Sequence, residues 1–267
     1  MAVESDRQFA GSIPALYERF MGPMLFQPYA DDLAARAKAL APRHLLEVAA
    51  GTGIVTRALA AALPGTAIIA TDLNQAMLDH AASLLKARNV TFRQADGQAL
   101  PFEAGSFDLV ACQFGIMFFP DRVQGFREAR RVLAPGGRYL FSVWADLGAN
   151  DFVEAITEEL EARFPEDPPR FMMRTPHGHH NIAHLTRDLA AAGFADVTVE
   201  SVDKVSRSPS ARDVAIGYCQ GTPLSAEIAA RGDLAAVTDA VAEALAERFG
   251  RGPVEGRIRA HVFSARA

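Results

Sequence analysis

LLEVAAGTGIVT, residues 45–56, decides how this chain is read. A short apolar run enters a Gly-Thr-Gly turn and leaves it with helical spacing, so that Val55, Leu59 and Leu63 share one face. The pattern is a buried strand, a tight turn and a helix. Gly51 and Gly53 let the backbone come close to a ligand, and a helix starting near Ile54 aims free N–H groups and a positive dipole end at it. A Gly-x-Gly pair also describes an ordinary strand-to-helix turn, so the neighbouring segments must decide.

Downstream, the alternation repeats. IIAT is followed by helical spacing over residues 74–86, then come VTF, FDLVAC (107–112), a helix over 122–133, a Pro-Gly-Gly turn at 135–137 and the strand RYLFSV. Strands alternating with crossover helices imply an α/β fold, a Rossmann-like, mostly parallel sheet with helices on both faces. Helical patterns return at 151–164 and 183–192, and DVTVESV and RIRAHVFSA read as two late strands. Between those strands, helices are expected over 211–219 and 234–249, too much chain for a hairpin turn. Ahead of the sheet, residues 14–20 and 29–40 read as two helices separated by breaks at Pro23 and Pro28. The organisation expected is a helical lid (1–44), a ligand-binding core (45–145), and acceptor-side insertions with the last two strands of the same domain (146–267).

Composition excludes several classes. With 49% hydrophobic residues over 267 positions the chain can bury a large core. Its 27 Lys and Arg are interspersed among 32 Asp and Glu, so there is no basic stripe and nucleic acid is not the expected partner. The opening MAVESDRQFA does not look like a signal peptide, and no apolar run approaches the roughly 20 residues that span a bilayer. A cytoplasmic protein without a membrane span is expected. Cys112 and Cys219 have no CxxC spacing, so neither a disulfide framework nor a thiolate zinc site is expected. No metal is assigned.

Two carboxylates sharpen the reading of the loop. Asp72 ends the second strand, where Rossmann-like sites use an acid to accept bonds from ribose hydroxyls; a helix N-cap is the alternative. Asp96 follows the third strand in QADGQALPF, where a plain turn residue is the alternative. Gln113 and Phe114 follow the fourth strand at the same sheet edge, where open α/β sheets bind ligands.

At this point the chain resembles the class I S-adenosylmethionine-dependent methyltransferases, of the group that includes the ubiquinone and menaquinone C-methyltransferases. The stretches that carry the resemblance are LLEVAAGTG, IIATDLNQAML, QADGQALPFEAGSFDLV, ACQFGIMFFPD and REARRVLAPGGRYLFSVW, in order, over about residues 45–144. The resemblance implies S-adenosylmethionine as cofactor and a seven-stranded sheet whose antiparallel last strand is RIRAHVFSA. It implies that Glu47 to Gly53, with Ala49, Gly51 and Thr52, wrap the methionine part of the cofactor, and that Asp72 takes the ribose hydroxyls. Leu73 flanks the adenine, Asp96 and Gly97 reach its amino edge, and Gln113 with Phe114 close the pocket. Met77 and Gln98 complete the set, and Tyr17 is expected near the amino-acid end. Ala49 departs from the family's first glycine and is acceptable if its φ is negative.

The acceptor is less defined. TPHGHHNIAH (175–184) holds His177, His179, His180 and His184, four of the seven histidines. Neutral histidine suits proton removal near pH 7, so His177 and His179 are the catalytic candidates, with a polar loop as the alternative. Apolar bulk near Phe20, Met24, Phe26, Met117 and Phe118 suits a small, partly apolar acceptor. Tyr218 is a further candidate for facing it, or else part of a buried helix face; Trp144, Met172 and Met173 read as packing residues. A homodimer is left open. Two rival readings remain: a nicotinamide oxidoreductase, whose sixth-position glycine is Thr56 here, and a cofactor-binding module without catalysis.

Overall fold

Strand β1 (His44–Val48) is buried at every position after His44, as the apolar run demands, and the sheet grows outward from it. The computed structural model describes residues 13–267 together with Asp6, Phe9 and Gly11. On one side β1 pairs in parallel with β2 (Ala67–Asp72), and β2 with β3 (Val90–Gln94). On the other it pairs in parallel with β4 (Phe107–Gln113), and β4 with β5 (Leu133–Trp144). A long pair completes the sheet: β6 (Ala195–Ser208) runs antiparallel to β7 (Val254–Arg266), and β7 antiparallel to β5. The order β3-β2-β1-β4-β5-β7-β6 is the seven-stranded Rossmann-like sheet expected. Strand order reverses between β1 and β4, which opens a crevice at their carboxyl ends.

The N-terminal segment corrects the sequence reading. Helix α1 (Ile13–Leu16), a π-helical stretch (Tyr17–Phe26) and α2 (Gln27–Leu40) form one unbroken run. Pro28 stands in the first turn of α2, where a missing N–H costs nothing. Pro23 lies inside the π-helical stretch, whose wider turn relieves the clash of a proline ring with the carbonyl four residues back. Tyr29 of α2 crosses to the far end of the sheet, where its hydroxyl lies 3.0 Å from the carbonyl oxygens of both Val202 and Ile258.

Helices α3 (Ile54–Ala62), α4 (Gln75–Leu84) and α5 (Arg122–Val132) are the crossovers of the parallel half. They are followed by α6 (Asp151–Arg163), α7 (Phe171–Arg174) and α8 (Ile182–Ala191), then by α9 (Ala211–Gln220), α10 (Leu224–Ala229) and α11 (Leu234–Phe249). Several start where the sequence says they should: Asp121, Asn181, Ser210 and Asp233 each accept the backbone N–H three residues on, opening α5, α8, α9 and α11. The short α7 and α10 carry too few turns to show a period. The Pro-Gly-Gly turn is absorbed into β5 as an irregularity, with Phe107 opposite Leu133 and Leu109 opposite Arg138. Among the described residues no helix is long and apolar enough to cross a membrane.

Candidate functional site

The loops after β1, β2, β3 and β4 surround a cavity of about 750 Å³ at the crevice. The β1 loop turns sharply, with Ala49, Gly51 and Gly53 all left-handed at φ 58°, 57° and 81°. Ala49 is thus a correction, since a negative φ was the condition set for its substitution. The neighbouring backbone enforces this shape: Ala50 N–H donates to the Thr71 carbonyl at 2.9 Å and Gly51 N–H to Asp72 Oδ2 at 2.9 Å. Room for the Ala49 methyl comes from Gly115, where a Cβ would stand only 2.5 Å from it. Gly53 needs to be glycine twice over, because a Cβ there would also come within 2.9 Å of Ala81 Cβ.

Asp72 is buried and holds two loops together. Besides Gly51, it accepts the Asn74 N–H on Oδ1 at 2.8 Å. It is not the cap of α4, a position that Asn74 occupies. Burial raises its pKa, against the lowering effect of the backbone N–H bonds from Asn74 and Gly51. Burial likewise pushes the Glu47 carboxyl up to about 8. Glu47 Oε2, Thr52 Oγ1 and Gln113 Oε1 are buried without hydrogen-bond partners, while Gln113 Nε2 donates to the Phe26 carbonyl at 3.1 Å. Of these three orphans only the Gln113 oxygen is limited to accepting, so a group that satisfies it must donate; the Glu47 carboxyl, held protonated near neutral pH, and the Thr52 hydroxyl can do either.

Eleven of the expected cofactor residues meet on this wall. Tyr17, Ala49, Gly51, Asp72, Leu73 and Met77 line the cavity, as do Asp96, Gly97, Gln98, Gln113 and Phe114. Glu47, Thr52 and Gly53 do not; Glu47 and Thr52 are buried at the loop, and Gly53 sits at the start of α3. Asp96 accepts the Gln98 N–H at 2.8 Å in a local turn. Gly97 allows close packing, since a Cβ would fall 2.6 Å from the Phe119 ring. Among the described lining residues there is no lysine or arginine, whereas Asp72 and Asp96 are there.

A second cavity, about 540 Å³, abuts the first and shares with it Phe9, Tyr17, Phe114 and Phe118. Phe114, left-handed at φ 54°, stacks on Trp144 at 3.7 Å with the rings 3° from parallel. The π-helical stretch contributes Met21, Leu25 and Phe26, and the insertions contribute Phe171, Met172 and Tyr218. Of the apolar residues foreseen for an acceptor pocket, Phe26, Met117 and Phe118 line it. Met24 is instead core, and Phe20 lies beneath the Arg19 guanidinium. Trp144, Met172 and Tyr218 face the cavity although packing was the reading favoured for them; the sequence signal was there, since all three types suit a ligand wall, but burial in a core uses the same types.

The two candidate histidines part company. His177 lines the second cavity, and its Nδ1 lies 2.9 Å from the Ala145 carbonyl, to which it must donate. Burial holds its pKa at about 4, so the ring is neutral at pH 7 and Nε2 carries the lone pair. His179 is absent from this lining. Its Nδ1 accepts from Arg122, which also donates to Asp188 of α8 at 2.7 Å, and burial and the Arg122 charge lower its pKa to about 4. His180 hydrogen-bonds the His177 carbonyl through Nδ1 at 2.7 Å, and His184 is exposed in the first turn of α8. The clustering in sequence therefore does not carry over to one site.

Residues 46–141 match a family described as "Methyltransferase domain". The demethylmenaquinone methyltransferase of Deinococcus radiodurans is 42% identical over 107 residues, covering 39% of this chain and 44% of that protein. A ubiquinone/menaquinone biosynthesis C-methyltransferase of Rhizobium johnstonii is 31% identical over 189 residues, covering 61% of this chain and 71% of that protein. The chain spans less than half the length of the demethylmenaquinone methyltransferases it matches from Deinococcus radiodurans and Thermus thermophilus. In fold, it is similar to the phosphoethanolamine N-methyltransferase 2 of Haemonchus contortus, with a TM-score of 0.63 at 19% identity, over 99% of this chain and 61% of that one.

Proposed function

We propose that this chain, which belongs to the class I S-adenosylmethionine-dependent methyltransferases and there to the group of the ubiquinone and menaquinone C-methyltransferases, transfers a methyl group to a small, uncharged and largely apolar molecule. The observation that carries the reading is the pair of adjoining cavities with one aromatic partition. The first cavity takes the cofactor and the second the acceptor. The chemistry supplied by the bound cofactor is a methyl group on a positively charged sulfur, open to in-line displacement.

The chain's own residues fit that cofactor. Asp72 and Asp96, with no basic residue among the described lining residues, make a cavity that favours positive charge and disfavours the pyrophosphate of a nicotinamide dinucleotide. The unpartnered Gln113 oxygen, on the cavity wall, suits a donor such as an ammonium group. In this reading Asp72 holds the ribose, Leu73 and Met77 flank the adenine, and Asp96, Gly97 and Gln98 meet its edge. Tyr17 and Phe114 stand where the methyl crosses, aligning donor with acceptor and keeping water out.

The acceptor cavity is walled mainly by aromatic and thioether side chains, and no charged residue is among its described lining residues. An anionic or cationic acceptor would lose its hydration there without a partner. Calorimetry with S-adenosylhomocysteine and with NAD, followed by transfer of labelled methyl from the cofactor into a metabolite extract, tests the reading. Micromolar binding of S-adenosylhomocysteine and a labelled neutral product are expected. Binding of NAD without S-adenosylhomocysteine would overturn it.

A further inference from the structure

Three polar side chains of the second cavity keep an unpartnered atom: Tyr17, which the first cavity shares, and His177 and Tyr218, which line the second alone. His177 commits Nδ1–H to Ala145, so its Nε2 can only accept, and no described residue donates to it. The residue is 6% exposed and lines the cavity, and its Nε2 is not fully enclosed. Tyr218, 4% exposed on α9, receives a bond at its carbonyl from Thr222 Oγ1 at 2.7 Å but makes none with its hydroxyl. Asn150 and Thr222, the other polar side chains of the lining, already have partners. Asn150 donates to the Asp146 carbonyl at 2.9 Å and accepts from Arg259 N–H at 3.1 Å, and Thr222 Oγ1 also accepts from Leu224 N–H at 3.2 Å. Neither the His177 Nε2 nor the Tyr218 hydroxyl is fully enclosed, so both can reach water in the cavity, and a ligand that displaces that water must replace its hydrogen bonds.

We propose that His177 and Tyr218 form the recognition pair for a single hydroxyl group on an otherwise apolar ligand. The ligand O–H donates to His177 Nε2, and the ligand oxygen accepts from the Tyr218 hydroxyl. A hydroxyl answers both demands through one oxygen: a ketone or an ether cannot donate to Nε2, an amide needs two separate atoms to donate and accept, and a carboxylate brings a charge that no described lining residue balances. This assignment of the acceptor's polar end rests on the second cavity being the acceptor site.

Trp144 is the sole tryptophan and lines the cavity, so quenching of its fluorescence reports occupancy directly. The probes are 4-hydroxybiphenyl, 4-methoxybiphenyl and biphenyl, with equilibrium dialysis giving their affinities for the full chain. The hydroxyl compound should bind about tenfold more tightly than either analogue, the scale of one or two neutral hydrogen bonds. Tyr218→Phe removes only the oxygen. His177→Asn keeps an amide donor near the Ala145 carbonyl while withdrawing Nε2 from the cavity. Each variant should shrink the preference to within about threefold and leave biphenyl affinity unchanged. Equal binding of the three probes by the unmodified chain, or a preference that survives both substitutions, overturns the pair. S-adenosylhomocysteine affinity, measured on the same samples, controls for folding and reads the methyltransferase assignment separately. Its loss in the unmodified chain with hydroxyl preference intact would sink that assignment and leave the recognition pair standing.

Discussion

The Ala49 methyl and the missing side chain of Gly115 form a matched pair, and a double-mutant cycle should reveal it. Alanine at φ 58° costs about 1–2 kcal/mol. Ala49→Gly recovers that but gives the unfolded chain about 0.4–1 kcal/mol of extra freedom, so it should raise stability by roughly 0–1.6 kcal/mol. Gly115, at φ −103°, would accept alanine without backbone strain. Its new Cβ would nevertheless stand 2.5 Å from Ala49 Cβ and 2.7 Å from Cys112 Sγ, and overpacking of this kind costs about 1–3 kcal/mol. In the Ala49→Gly background one of those two clashes disappears. The penalty of Gly115→Ala should then fall by about 1 kcal/mol, within the coupling range of touching residues. Urea unfolding of the four proteins measures this, and S-adenosylhomocysteine titration should show equal or tighter binding for Ala49→Gly. A coupling below about 0.3 kcal/mol, or a loss above about 1 kcal/mol for Ala49→Gly alone, would refute the reasoning.

His177 keeps its folded pKa at about 4, below the ordinary 6.5, so the unfolded chain binds more protons between those values. The stability it protects is fully present above pH 6.5 and is lost as pH falls toward 4, by up to about 3 kcal/mol. His177→Asn should flatten urea midpoints between pH 7 and 4.5, and an unchanged slope would count against this. Glu47 has the opposite sign: its folded pKa of about 8 exceeds the ordinary 4.5, so its contribution is fully present below pH 4.5 and lost as pH rises through 8. Glu47→Gln should therefore gain stability relative to the unmodified chain between pH 6 and 9, measured the same way; a constant difference would be evidence that burial does not control this carboxyl. Asp72→Ala frees the Gly51 and Asn74 N–H groups, and S-adenosylhomocysteine affinity should fall at least about tenfold by calorimetry, each charged bond being worth about 1.5–3 kcal/mol.

The parallel half of the sheet was legible because each strand is a short apolar run ended by glycine, aspartate or proline, and buried central strands need little else to be specified. That the loop residues would gather around one crevice was legible for the same reason, since they lie in loops fixed to strand ends. The conformation of Ala49 was not, because residue type argues against a positive φ and only the contacts with Thr71, Asp72 and Gly115 impose it. Nor was the unbroken N-terminal helix, since a proline normally breaks the α ladder and nothing local announces a π-helical turn. His177 and His179 are two residues apart, yet one meets Ala145 and the other Arg122 of α5. Which of them faces a ligand depends on packing between elements distant in sequence.

Tyr29 hydrogen-bonds across separations of 173 and 229 residues. During synthesis, helix α2 therefore leaves the ribosome long before the strands that complete its seat, and Val202 and Ile258 arrive only as β6 and β7 do. The parallel half, built from neighbours in sequence, can pair first. The second cavity, walled on one side by the N-terminal helical run and on the other by residues from 144 to 222, takes its shape late. A nascent chain can thus have most of its cofactor crevice before it has anywhere to put an acceptor.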